Sequence, residues 1–202
     1  MDEGKLSLDL LIGLSIFLFT FIFVANFLPG VFADVRNEIN LAHQAYRIAA
    51  LLVEDPGYPS EWESIDVTNC TNAEFRPGLI VLNIDAPSNK KEYNHLDFNK
   101  IQKFAELMAN NVCRSEVKKY LGLDLTIFGS HISYGLNASL KNLNGSLLLN
   151  NSQPILNHGD LSSGAQLMKF ERIVYIDHSF VDNCELLIGD RCVAKLEVRV
   201  WI

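Results

Sequence analysis

From Leu10 to Phe32 the chain is apolar at almost every position, with Ser15, Thr20 and Asn26 the only polar side chains and no charge. Such a run predicts a helix, and at about 1.5 Å of rise per residue roughly 20 apolar residues cross the hydrocarbon core of a bilayer. No polar stripe interrupts it, as a helix lying on a soluble core would require. Past Pro29-Gly30, where a bend is expected, Phe32, Val35, Ile39, Ala42, Tyr46, Ala49 and Val53 recur in steps of three and four. That spacing predicts an amphipathic helix with one apolar face, too short in clean heptads for a coiled coil. Glu54-Asp55-Pro56-Gly57 ends it, because Pro cannot continue a helix and Gly favours the reversing conformation.

The pattern then changes period. Residues 58–75 carry Pro, Asn, Ser and Thr and read as loop; residues 79–84 read as a strand. Asp97 is placed to cap a short amphipathic helix through Ile101, Phe104, Leu107 and Met108, with a further turn at 117–121. Segments 123–134, 143–149, 170–176 and 193–202 are rich in β-branched, Leu or aromatic residues between Gly/Asn/Ser stretches. In the last, Ala194, Leu196, Val198, Val200 and Ile202 alternate with Lys195, Glu197, Arg199 and Trp201, which predicts a strand buried on one face. The chain divides into 1–33 (signal and transmembrane helix), 34–56 (its amphipathic continuation) and 57–202 (an α+β domain). Its 202 residues leave no room for a second large domain.

A formal charge of −7 and isolated Lys90-Lys91 and Lys118-Lys119 pairs offer no phosphate-tracking stripe, so nucleic acid is not an expected partner. Cys70, Cys113, Cys184 and Cys192 all follow the apolar run, and none forms a C-x-x-C pair. An even number in a region expected outside the cytosol predicts two disulfides. Three pairings are open. A short loop between two strands favours Cys184–Cys192, which leaves Cys70–Cys113; zinc would want closer ligand pairs. The histidines, His43, His95, His131, His158 and His178, have no metal-binding spacing, and Asp177, Asp182 and Asp190 read as hydrated loop acids more readily than as calcium ligands. No nucleophile elbow, Walker loop or dinucleotide fingerprint is present, so neither catalysis nor a cofactor or metal is expected. Asn69, Asn137, Asn144 and Asn150 each begin an Asn-x-Ser/Thr sequon, a glycosylation candidate or simply turn chemistry.

Val31-Phe32-Ala33 has a faint look of a signal-peptidase site, but the apolar core is too long and the leading residues are not basic. Asp9 stands at the start of the apolar run, where an unpaired carboxylate is costly and marks a functional position by default. Gly4-Lys5-Leu6-Ser7-Leu8-Asp9, followed by Leu10-Leu11-Ile12-Gly13-Leu14, resembles the N-terminus of archaeal type IV pilin-like proteins with the class III prepilin signal. The strands at 171–175 and 194–201 also resemble the closing pair of that family. The resemblance implies a cut by prepilin peptidase between Gly4 and Lys5, with Ser7 matching the family Ser and Asp9 replacing the family Glu; Lys5 stands where the family has Gln. It further implies that the helix is retained, and that Asp9 pairs with a neighbouring subunit's new amine. The fold expected is a long helix packed on an antiparallel sheet. The function expected is that of a membrane-anchored filament subunit, minor or at the tip, whose partners are membrane lipid, other pilin-like subunits and the peptidase. The alternative is a non-assembling single-pass surface protein with an outward binding domain.

Overall fold

Helix α1 spans Glu3–Glu54 and passes through Pro29 without ending. The computed structural model describes the backbone of residues 3–83, 90–127, 130–160 and 166–202, and their side chains except at 3–9, 33–38, 83, 90, 125–127 and 130. It divides into two compact units, 1–40 and 41–202, so the last turns of α1 belong to the second. There Leu41, Ala45, Ile48, Ala49, Leu52 and Val53 are buried. The apolar face is thus rotated from the expected one: Ile39 and Tyr46 are exposed, and the larger aliphatics at 41, 48 and 52 take the interior. Tyr46 packs edge-on against Phe170 at 5.2 Å, with the Arg172 guanidinium above its ring.

Beyond α1 come two 3-10 turns, Trp62–Ser64 and Cys70–Asn72, in the expected loop. Strands β1 (Ile80–Asn83) and β2 (Lys90–Leu96) pair antiparallel; Ile84, expected at the end of β1, lies outside the described residues. Asp97 accepts from the backbone N–H groups of Asn99 and Lys100 and so caps α2 (Phe98–Ala109), as the sequence implied. Asn110 closes α2 and in the same way caps α3 (Asn111–Tyr120), a full helix where only a turn was expected.

Segment 123–134 is not one strand but a pair, β3 (Asp124–Ile127) and β4 (Ser130–Ser133); residues 128 and 129 lie outside the described set. Strand β5 (Gly135–Lys141) follows. The expected strand at 143–149 is mostly turn, from the Gly145 reversal back to an isolated bridge between Lys141 and Leu147. Short strands β6 (Leu149–Asn150), β7 (Gln153–Pro154) and β8 (Asn157–Gly159) precede the long β9 (Leu167–Asp177), the two-residue β10 (Leu187–Ile188) and β11 (Arg191–Trp201).

The main sheet runs β1-β2-β9-β11-β5-β8, with β10 also on β11. It is mixed where an antiparallel sheet was expected, because β2 meets β9 in parallel at His95 and Tyr175. The fold is α+β. One face of the sheet presents Leu136, Ala138 and Leu140, Ala194, Leu196 and Val198, and Val174 and Ile176 to the core formed with α1 and α2.

Strand β11 departs from a half-buried pattern. Its second face is covered too: Val193, Glu197 and Trp201 are buried, and Glu197 is 3% exposed. A buried carboxylate needs charged partners to offset lost hydration. Lys141 Nζ and Arg199 Nη2 each lie 2.7 Å from Glu197 Oε1, and Lys169 lies 3.8 Å from its other oxygen.

A second polar cluster fastens the end of α1. Trp62 Nε1 donates to the Pro56 and Gly78 carbonyls at 3.1 and 3.0 Å, and the buried Lys100 amine donates to Pro56 O at 2.8 Å. Burial pushes the Lys100 pKa down, against the pull of Glu63, Asp97 and Asp55. Asp55 accepts from Gly57 N and binds Arg76 at 2.8 Å, so the Pro56-Gly57 exit is held from several sides.

Both cysteine pairs close as expected from the residues. Cys70 is bonded to Cys113, tying the loop after α1 to α3, and Cys184 to Cys192, closing the β10–β11 hairpin.

Candidate functional site

Within the first unit, Leu10–Phe32 is long and apolar enough to cross a membrane, and none of it is buried. Sixteen Leu, Ile, Phe and Val side chains there are exposed, on every side of the helix, from Val31 at 40% to Phe19 at 76%. A helix apolar all round has no solvent face, which is the pattern of a membrane span or of a helix inside an assembly. Each such residue near the bilayer centre favours insertion by about 0.3–0.6 kcal/mol.

The three polar side chains in the span do not spoil this. Ser15 Oγ donates to the Leu11 carbonyl at 2.7 Å, Thr20 Oγ1 lies 2.9 Å from both the Ile16 and Phe17 carbonyls, and Asn26 Nδ2 donates to Ile22 O at 2.8 Å. Each donates to a backbone carbonyl one turn earlier, which satisfies both hydroxyl hydrogens and one of the two Asn26 amide hydrogens within the helix. Phenylalanines pair along the helix, Phe17 with Phe21 at 6.2 Å and Phe23 with Phe27 at 5.7 Å. Gly4, Lys5, Ser7 and Asp9 have helical backbone, while their side chains, with the expected role of Asp9, lie outside the described residues.

Among the described residues of the second unit, one cluster resembles a chemical site. His95 is 6% exposed; its Nδ1 lies 2.8 Å from Glu92 Oε2 and its Nε2 3.1 Å from Asp177 Oδ1. Arg191 binds the same Glu92 oxygen at 2.9 Å. The hydrogen bond from His95 holds the Glu92 carboxyl below its usual range, with Arg191 adding to the effect. Both ring nitrogens are taken up by carboxylates on opposite sides of the ring, which leaves neither open to a metal. An open cavity of about 610 Å³ adjoins Asp177 and is lined also by Tyr175, Ile188, Gly189, Asp190 and Arg191. It contains no Ser, Thr, Cys or Lys nucleophile. The geometry makes this cluster a cross-link that holds β2 to β9 and β11 where backbone pairing amounts to one residue.

The other expected residues scatter. Asp182 accepts from Ser152 N at 3.0 Å while Asp177 is turned to His95, and among the described residues no group of three His, Cys, Asp or Glu side chains is arranged to hold a metal. His131 pairs with Asp124 at 2.6 Å, and His158 has its pKa lowered by burial and by Arg114. The covered face of β11 carried no sequence signal, since Lys, Glu and Arg in alternation describe a solvated face equally well.

Residues 1–78 match a family described as being of unknown function, DUF7287, a stretch that ends just before β1. No solved structure matches the chain. An uncharacterized protein of Archaeoglobus fulgidus is 51% identical over 203 residues, covering 100% of this chain and 99% of its own length. With apolar span, loop and sheet domain all included in that alignment, the chain belongs to one family with this archaeal protein.

Proposed function

We propose that the chain is a structural subunit of an archaeal type IV filament system, anchored by Leu10–Phe32 and assembled through that same helix as a minor or tip component. The observation that carries the reading is the combination of an uncharged helix with no buried face and an acid, Asp9, at its threshold behind Gly4 and Ser7. Apolar helices exchange lipid for one another at little cost, and an acid at the edge of the span gains most from a neighbouring amine. Two disulfides support placing residues 57–202 on the oxidising, outer side of the membrane.

Intact-mass measurement and N-terminal sequencing of the protein from archaeal membranes test this. A chain beginning at Lys5 and recovered with purified filaments is the expected result. An intact Met1, or a cut after Ala33 that removes the helix, would overturn it; an intact anchor with no filament association would favour the non-assembling surface protein instead.

A further inference from the structure

Four sequons are present, and the fold treats them unequally. Asn137 lies within β5, flanked by Arg199 of β11 on one side and Gly159 of β8 on the other, and its partner hydroxyl residue Ser139 is 2% exposed. Asn150 is half-buried in the tight β6–β7 turn, where its Nδ2 donates to Phe180 O at 2.9 Å and its Oδ1 accepts from Asn151. The next two residues, Asn151 and Ser152, are held at φ of 49° and 63°. Asn69 and Thr71 are both exposed, in the 3-10 turn beside Cys70, and Asn69 uses only its oxygen, accepting from Asn72 Nδ2 at 2.7 Å. Asn144 Nδ2 donates to Glu185 and its Oδ1 accepts from Ser146 N at 2.7 Å, while Ser146 Oγ accepts from Asn142 Nδ2 at 3.0 Å; unlike half-buried Asn150, Asn144, Ser146 and Glu185 are all exposed, in and beside the open turn around Gly145.

An oligosaccharide can be joined to a folded domain only where the amide nitrogen and the hydroxyl two residues on can both be reached, and where a bulky polar group can remain in water. We infer that Asn69 and Asn144 are N-glycosylation acceptors of the folded domain and that Asn137 and Asn150 are not. The donor class is a sugar activated as a polyprenyl phosphate or diphosphate. The Asn Nδ2 forms a bond to the anomeric carbon as the bond from that carbon to the phosphate oxygen breaks; the amide gives up one proton, and polyprenyl phosphate leaves from the phosphate donor or polyprenyl diphosphate from the diphosphate donor. No oxidant or reductant is needed. The inference rests on the outward placement of residues 57–202.

The test is glycopeptide mass spectrometry on the full-length protein purified from an N-glycosylating archaeal host, alongside Asn69→Gln, Asn144→Gln, Thr71→Val and Ser146→Ala. Intact cells are labelled in parallel with a membrane-impermeant amine reagent that reads the exposed Lys119. Sugar mass on the Asn69 and Asn144 peptides is expected, falling at least tenfold at the altered site and unchanged at the other. Bare Asn69 and Asn144 with Lys119 labelled would overturn the inference and leave the outward placement standing. Bare peptides with Lys119 protected would overturn both, and sugar on Asn137 would overturn the selection by fold.

Discussion

The indole of Trp201 lies directly over Gly135 on the neighbouring strand, so close that a β-carbon at residue 135 would come within 2.1 Å of Cε2. The glycine is therefore required by what lies across from it and not by its own backbone. Gly135→Ala should destabilise the domain by about 1–3 kcal/mol through overpacking. In a Trp201→Ala background the same change should cost much less, and denaturant unfolding of all four proteins in detergent measures the coupling. Equal costs in both backgrounds would contradict the contact.

Trp62→Phe removes the donor that serves both Pro56 and Gly78, and Gly78 O has no other partner in that cluster. The expected loss is about 1–3 kcal/mol, the cost of a stranded buried acceptor. Gly57→Ala should be worse than a typical surface change, because its φ is +90° and its β-carbon would meet the Trp62 ring at 2.3 Å. Thermal unfolding ranks the two against wild type.

The disulfides should differ in weight. Cys70 and Cys113 are 43 residues apart and Cys184 and Cys192 only 8. A loop-entropy argument gives about 4 kcal/mol for the first and about 2.5 kcal/mol for the second. Paired Cys→Ser variants should lose midpoint stability in that order. A larger loss from the hairpin pair would mean that native-state packing outweighs chain entropy.

Acid should weaken the outer face of the sheet. A hydrogen bond from Lys169, helped by Lys195, holds the Glu171 carboxyl below the usual carboxylate range. A depressed carboxylate contributes fully above its unfolded pKa of about 4.3 and loses that contribution as pH falls through the lower folded value. Unfolding midpoints of wild type and Glu171→Gln should differ at pH 7 and converge toward pH 3. A gap that stays constant across that range would exclude the ion pair as its source.

Elements whose residues answer to one demand were legible in the sequence. The apolar span, the Asp97 cap and the Pro56-Gly57 stop each follow from a local rule, and all appear. Strand β5 was missed although Leu136, Ala138 and Leu140 alternate within it. Gly, Asn, Ala and Ser in one stretch read as a turn, and only pairing with β11 and β8 makes that stretch a strand. Strand β2 is almost wholly polar and is fixed by the His95 cross-link, a tertiary effect with no local trace. The rotated face of α1 has a similar origin: both seams are apolar, and the sheet selects the one with Leu41, Ile48 and Leu52.

The doubly covered strand β11 has a bearing on how the chain avoids misthreading. Sliding β11 by one residue against β9 and β5 would drive Glu197 into hydrocarbon and push Leu196 or Val198 among ammonium and guanidinium groups, two independent penalties for one mistake. A strand wetted on one side is proofread by grease alone. Here charge proofreads as well, so both faces of this interior strand oppose a slip by one residue.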